Sequence, residues 1–132
     1  MDDLIALARQ VQSRAYAPYS NYQVGAALRT VNGTTFVGVN FENISYGATI
    51  CAERGAIGAM VAAGERQIQE IVVITRDGVT PCGICRAVIA EFSTPQTQIM
   101  CLNEAGEANV YSMSELYPFG FQSELVKKSE NE

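Results

Sequence analysis

The sequence predicts an α/β fold in which a mixed sheet of about five strands lies between two layers of helices. Short β-branched and apolar runs alternate along the chain with helical patterns, an order that is typical of three-layer α/β domains. The chain has 132 residues, of which 48% are hydrophobic and 17% charged, enough for one core and with no composition break for a second. We therefore expect a single domain over residues 1–132, with a frayed charged tail at 127–132.

The N-terminal part of the chain predicts a helix followed by a β-hairpin. Residues 2–16 carry apolar side chains at helical spacing, and the pattern ends in a proline-containing turn. Residues 23–31 and 34–40 are rich in Val, Thr and small apolar residues, which favour strands. Asn32-Gly33 lies between these runs and is a typical two-residue hairpin turn.

The middle of the chain predicts two helices with a buried strand between them. After a polar stretch at 40–50, the small apolar residues 51–63 indicate a helix, which Gly64 closes. The run Ile-Val-Val-Ile at 71–74 is typical of a buried central strand. Residues 82–92 indicate the second helix, because their pattern begins directly after a proline.

The C-terminal part predicts two strands and a short helix. The apolar residues 99–102 indicate a strand, and 108–111 indicate a weaker strand at an edge of the sheet. A last helix is expected to begin at Ser112 or Ser114, since either hydroxyl can cap it.

Charge and composition exclude several classes of function. Nine basic and 14 acidic residues give a net charge of −5, so we expect no basic surface for nucleic acid or an anionic membrane. The sequence has no histidine, which excludes a Ser-His-Asp triad, a Cys-His pair and an HExxH metal site. The first residues lack the positive charge and apolar run of a secretory signal, so we expect a cytoplasmic protein with reduced thiols.

Three of the four cysteines form the most informative pattern. Cys82 and Cys85 have the CxxC spacing of a metal-binding turn, and Cys51 stands at the start of another predicted helix. The positive ends of two helix dipoles favour thiolates at these positions. Three thiolates bind Zn²⁺ and leave a fourth position for water, the layout of a catalytic site. Glu53 lies close enough in sequence to reach that water.

Other interpretations stay open at this point. A CxxC pair also occurs as a redox pair or in a structural zinc site, and cysteine is often simply a core residue. Cys101 lies in an apolar run, where the core interpretation is favoured. If Cys101 were a fourth ligand, the site would be closed, and the chain would be a noncatalytic zinc module for protein interaction.

Several spaced motifs together resemble a known family. They are Ala17-Pro18-Tyr19-Ser20, Gln23-Val24-Gly25-Ala26-Ala27, Asn40-Phe41-Glu42-Asn43, Cys51-Ala52-Glu53-Arg54, Pro81-Cys82-Gly83-Ile84-Cys85-Arg86 and Leu116-Tyr117-Pro118. In this order they resemble the small homotetrameric cytidine deaminases, in the type whose zinc is held by three cysteines. The resemblance covers nearly the whole chain.

The resemblance implies the reaction and the residues that perform it. The reaction would be zinc-dependent hydrolytic deamination of cytidine or deoxycytidine at C4, with release of ammonia, in pyrimidine salvage. Cys51, Cys82 and Cys85 would be the zinc ligands, and Glu53 the catalytic proton carrier. Arg54 matches a position whose guanidinium donates to the ligand thiolates.

The resemblance also implies how the nucleoside is held. Asn40 and Glu42 match the ribose-binding pair, and Tyr22 stands where Phe is usual, packing near the nucleoside. Phe121 matches an aromatic residue that reaches the pyrimidine from another subunit, and the loop 44–49 matches a segment that crosses between subunits. The implied assembly is a homotetramer with shared active sites. The alternative substrate is another aminopyrimidine nucleoside, modified or an antibiotic.

Two positions depart from the family pattern. Ala87 replaces the usual glutamine of the second cysteine motif, and Gly55 stands where threonine is common. Both replacements remove side-chain volume near the expected metal centre, so the pocket is expected to have room for substituents on the exocyclic nitrogen. This motivates the hypothesis that N4-substituted cytidines are also substrates.

Overall fold

The computed structural model of the protein describes residues 1–121, so the expected tail at 127–132 lies outside the described residues. The elements, in chain order, are α1 (Asp2–Gln12), β1 (Gly25–Thr30), β2 (Thr35–Val39), a 3₁₀ turn (Tyr46–Ala48), α2 (Ala52–Ala62), β3 (Ile68–Ile74), α3 (Gly83–Glu91), β4 (Ser93–Leu102), β5 (Ala108–Ser112) and α4 (Met113–Leu116).

The five strands form one mixed sheet in the order β2-β1-β3-β4-β5. β1 pairs antiparallel with both β2 and β3, and β5 pairs antiparallel with β4. β3 and β4 are parallel, because α3 connects them as a crossover helix. The predicted mixed five-stranded α/β fold is confirmed.

Helices cover both faces of this sheet, as the sequence predicts. Side chains alternate between the two faces along each strand, so Ala26 and Leu28 of β1 enter one core cluster and Ala27 enters the other. Leu4 and Ala8 of α1 pack in the cluster that contains Ala27. The first cluster contains the buried side chains of α2, α3 and α4, namely Ala52, Ala56, Ile57, Met60, Ile89 and Leu116.

A glycine in β2 fixes how closely α2 approaches the sheet. A Cβ atom added to Gly38 would lie 2.3 Å from the backbone nitrogen of Ala56 and 2.4 Å from the carbonyl oxygen of Ala52. Only glycine permits this backbone contact. The start of α2, which carries Cys51 and Glu53, is therefore held at a fixed, short distance from β2.

α1 ends four residues earlier than the helix predicted at 2–16. The chain leaves the helix because the amide of Tyr16 donates to the carbonyl of Asn40 at 3.0 Å, and Tyr16 forms an isolated bridge with Phe41. The longest helices have 11 residues, and nowhere in residues 1–121 is a helix both long and apolar enough to cross a bilayer.

β4 begins at Ser93, well before the predicted 99–102, even though Pro95 cannot donate to a ladder. Its pairing with β3 shifts register between Ile68 and Glu70, so the segment around Pro95 bulges out of the ladder. The Thr97 hydroxyl donates a hydrogen bond to the carbonyl oxygen of Ile68 at 2.5 Å.

Candidate metal centre

Two helix starts on the same face of the sheet bring three thiols together. Cys51 and Cys82 are the N-caps of α2 and α3 in extended backbone, and Cys85 lies in the first turn of α3. The three Sγ atoms all lie within 4.8 Å of one another, and those of Cys51 and Cys82 are 3.9 Å apart. Thiolates at tetrahedral corners around Zn²⁺, with Zn–S bonds of ~2.3 Å, would be separated by ~3.8 Å. The donor set and its spacing therefore fit zinc.

The protein environment prepares one of these thiols to ionise. A hydrogen bond from Cys85 is the main cause that lowers the pKa of Cys51 to about 5, with further contributions from Arg54 and Cys82. Conversely, the hydrogen bond with Cys51 raises the pKa of Cys85, and burial adds to this. The metal-free cluster thus holds its negative charge first on Cys51.

Arg54 provides the nearest cationic group. Its Nη2 donates to the Sγ atom of Cys51 at 3.7 Å and to the carbonyl of Thr49 at 3.1 Å. The guanidinium therefore withdraws charge from the Cys51 thiol and also holds the chain just before it. This contact is the one that the family resemblance implies.

The variant Arg54→Gln should raise the pKa of Cys51 in the metal-free protein, because it removes the neighbouring cation. The pH dependence of Cys51 alkylation, resolved by peptide mass spectrometry, measures this. Arg14→Gln, at an exposed position of the N-terminal turn, is the matched control. An unchanged alkylation profile in Arg54→Gln would contradict the assignment.

Glu53 is a buried carboxyl beside the thiols. It lies in the first turn of α2 and is only 4% exposed. Burial is the main cause that raises the pKa of Glu53 to about 7, and the charge on Cys51 raises it further. A carboxyl with this pKa can both accept and donate a proton near neutral pH.

Cys101 stands apart from the cluster. It is 1% exposed within the core formed by the sheet and α2, and burial raises its pKa to about 11. The group of possible metal ligands found in residues 1–121 contains the other three cysteines and not Cys101. The closed four-thiol site that a noncatalytic zinc module requires is therefore not favoured.

Asn40 and Glu42 both contact the segment that connects α1 to β1. The amide of Asn40 accepts from the backbone nitrogen of Val24 at 2.9 Å and donates to the carbonyl of Tyr22 at 2.8 Å. The carboxylate of Glu42 accepts from the hydroxyl of Ser20 and from the amide of Ser20 at 3.1 Å. The Ser20 hydroxyl bond is the main cause that lowers the pKa of Glu42. Glu42 is thus held ionised, and Asn40 fixes the backbone beside it.

Ser20 is a residue whose contact the sequence analysis missed. It lies 22 positions before Glu42, so no local spacing could connect the two residues. The available signal is the serine of the Ala17-Pro18-Tyr19-Ser20 motif, which carries the family resemblance without specifying a contact with Glu42.

Tyr22 lies next to Asn40, and the guanidinium of Arg76 stacks on its ring. The guanidinium carbon of Arg76 lies 5.0 Å from the centroid of the Tyr22 ring, a cation–π contact. Within the described residues, the buried hydroxyl of Tyr22 has no hydrogen-bond partner. The extra hydroxyl that distinguishes Tyr from Phe at this position is therefore desolvated without a compensating hydrogen bond.

Phe121 is not brought to the thiols of its own chain. Its side chain is 87% exposed, and it lines a groove with Ala90 of α3 and Tyr117. Phe119 in the same segment is fully exposed. A role for Phe121 in a catalytic site would therefore require a second chain.

The two departures from the family pattern have neighbours in β2 and in the groove that contains Phe121. A Cβ atom added to Gly55 would meet the carbonyl oxygen of Val39 at 3.5 Å, so this position faces β2. Ala87 follows Cys85 by two helical positions, which turns it ~200° around α3, and it lines the groove that contains Phe121. The extra room that both small residues would give the metal pocket stays a prediction, and so do the N4-substituted substrates that it motivates.

The three-layer fold and the three-thiol cluster with a buried carboxyl define a zinc-binding α/β protein. The model of a protein family described as "Cytidine and deoxycytidylate deaminase zinc-binding region" matches residues 1–101 of this chain. The chain belongs to this deaminase family.

Individual relatives agree with this assignment. A cytidine deaminase from Halalkalibacterium halodurans is 42% identical over 123 residues, covering 92% of this chain and 93% of the relative. A cytidine deaminase from Mycoplasma genitalium is 38% identical, covering 90% of this chain and 93% of the relative. The crystal structure of a cytidine deaminase from Burkholderia pseudomallei aligns with a TM-score of 0.87 and 41% identity, covering 91% of this chain and 98% of that one.

Proposed function

We propose that this protein is a zinc-dependent cytidine deaminase, which hydrolyses cytidine or deoxycytidine to uridine or deoxyuridine and ammonia. The observation that carries the proposal is the buried carboxyl of Glu53 beside the Cys51, Cys82 and Cys85 thiols. Relatives named cytidine deaminase, at 38–42% identity over most of the chain, support the same substrate.

Glu53 performs the proton transfers in this proposal. Zinc, when bound, supplies the Lewis acidity that makes water a nucleophile at neutral pH. Glu53 accepts a proton from water as its oxygen adds to C4 of the pyrimidine, and delivers that proton to ring N3. It then carries a second proton to the departing amino group, so one water is consumed and one ammonia leaves. The near-neutral pKa of Glu53 suits both directions of transfer.

The sugar is bound by the polar residues around the α1–β1 connection. Glu42 is proposed to accept hydrogen bonds from ribose hydroxyls, since its charge is maintained by Ser20. Asn40 holds the backbone at Tyr22, and the Tyr22 ring packs near the nucleoside. A free nucleoside suits this carboxylate, which would repel a sugar phosphate.

Deamination is tested by following the ultraviolet absorbance of cytidine and deoxycytidine with the zinc-loaded protein. Conversion of either one to its uracil nucleoside is the expected result. N4-substituted cytidines and other aminopyrimidine nucleosides in the same panel determine the breadth of the pocket. A zinc-loaded, folded protein that leaves every member of the panel unchanged would contradict the proposal.

The assembly is proposed to be a homotetramer with active sites shared between chains. Large apolar side chains are exposed in two segments, with Ile44 at 80% and Tyr46 at 77% in one, and Phe119 and Phe121 in the other. Burying such surface between copies is favourable. The whole chain is proposed to form one domain, which acts in the cytoplasm in pyrimidine salvage.

Shared sites predict complementation between two inactive chains. Phe121→Ala and Glu53→Gln should each be impaired alone, and their co-expression should restore part of the activity, because some sites then combine an intact Glu53 with an intact Phe121 from a neighbour. Glu53→Gln co-expressed with Cys82→Ala is the control and should stay inactive, since both residues serve the site of one chain. Sedimentation should give a mass of four chains of 14.3 kDa each. Activity per chain unchanged by mixing would contradict sharing.

A further inference from the structure

Arg86 connects the loop before the second metal ligand to the end of α4. Its Nε donates to the carbonyl of Pro81 at 2.7 Å, and its Nη2 donates to the hydroxyl of Thr80 at 2.6 Å. Its Nη1 donates to the carbonyl of Leu116, 30 positions away in sequence, at 2.7 Å. All three bonds are short, and the side chain is half-buried.

The loop that carries Cys82 has few other means of fixing its position. Upstream, the hydroxyl of Thr75 accepts from the amides of Gly78 at 2.7 Å and Val79 at 3.3 Å. Pro81 has no amide hydrogen to donate, and Cys82 makes no side-chain capping bond to α3 although it is the N-cap. The Cys82 side chain is itself exposed. Arg86 therefore holds the last two residues before this ligand.

The other end of the Arg86 contact is a rigid anchor. α4 begins with a capping box, in which the Ser112 hydroxyl accepts from the amide of Glu115 and the Glu115 carboxylate accepts from the amide of Ser112. α4 ends at Leu116, which is 4% exposed and packs in the main core cluster. The carbonyl that Arg86 bonds is consequently fixed relative to the sheet.

We propose that Arg86 is a positioning residue, which ties the Thr80–Pro81 segment to α4 and thereby sets where Cys82 presents its thiolate to zinc. The guanidinium suits this role because its rigid fork directs donors along three separate directions, whereas an ammonium is a single point charge. The proposal rests on the proposed function only for the identity of the metal.

Zinc release from the loaded protein to an excess of chelator tests this role. Arg86→Lys keeps the charge but cannot make all three bonds, so we expect zinc to leave about 10–100-fold faster, as for other residues that orient metal ligands. Thr80→Val removes only the Nη2 contact at nearly constant volume and should give a smaller increase. Arg66→Lys is the matched control, because Arg66 also bonds two carbonyls, those of Val61 and Glu65, but at the far end of α2.

Hydrogen exchange of the metal-free proteins gives a second readout. Arg86→Lys and Thr80→Val should speed exchange of the amides at residues 82–86 while leaving α1 unchanged. If both variants release zinc at the rate of Arg66→Lys and exchange like the wild type, Arg86 has only a packing role. Should Arg86→Lys fail to fold, Thr80→Val alone decides between these outcomes. No nucleoside is present in either assay, so a failed deamination test leaves this result interpretable.

Discussion

Glu53→Gln should abolish nearly all deaminase activity and leave zinc content unchanged. The amide is isosteric with the carboxyl but cannot accept the proton that the reaction removes from water, so turnover should fall on the order of 10²–10⁴-fold. Since Glu53 makes up no part of the three-thiol cluster, one zinc per chain should be retained. Cytidine turnover and metal analysis on the same sample measure both effects.

The same variant carries a stability signature that a surface carboxyl lacks. The pKa of Glu53 is raised from 4.5 to about 7 by burial, so the folded metal-free protein binds more protons than the unfolded chain between these values. In this window Glu53 therefore contributes stability that falls as pH rises, opposite in sign to the contribution of Cys51, whose pKa is lowered to about 5. Glu53→Gln should lose only the falling contribution, so its stability should rise more steeply with pH than that of the wild type. Glu107→Gln, at an exposed position near β5, is the control and should leave activity unchanged. Full turnover in Glu53→Gln would remove Glu53 from the mechanism.

Cys82→Ala should abolish stable zinc binding. Two thiolates remain, one fewer than the set that fits a tetrahedral ion, and the activity that depends on zinc should disappear with it. The helix start itself should survive, because the Cys82 side chain makes no capping bond. Metal analysis after dialysis should show near-zero zinc, and circular dichroism should show retained α/β structure.

Cys101→Ala provides the control for the loss of zinc. This cysteine lies in the core, so its truncation should lower thermal stability through a small cavity while zinc stays at one per chain. The opposite pattern, with zinc lost in Cys101→Ala and kept in Cys82→Ala, would show that the ligand assignment is wrong.

The sequence predicted the parts of the site that are encoded locally. The starts of α2 and α3 follow from an extended cysteine before an apolar helix pattern, and Asn32-Gly33 marked the hairpin because a turn with positive φ favours glycine, here at +90°. Two of the clustered thiols could be placed together from the sequence, because CxxC spacing within one helical turn fixes Cys82 and Cys85 relative to each other.

The missed features depend on contacts between distant residues. The early end of α1 results from the Tyr16–Phe41 bridge, and the charge state of Glu42 depends on Ser20. Ala87 lines a groove with Phe121, a neighbour that its place two residues after Cys85 does not reveal. The contact between Arg86 and Leu116 could not be inferred, since the two residues lie 30 positions apart.

The contact between Gly38 and the first turn of α2 bears on the evolvability of the enzyme. Backbone atoms, not side chains, set the height of α2 above β2, with an added Cβ at position 38 only 2.3 Å from Ala56. No side chain at position 38 can vary in size and so change the distance of the Cys51 end of α2 from the sheet. The position of this one thiol is thereby insensitive to side-chain drift at the strand–helix contact, and position 38 itself becomes nearly immutable.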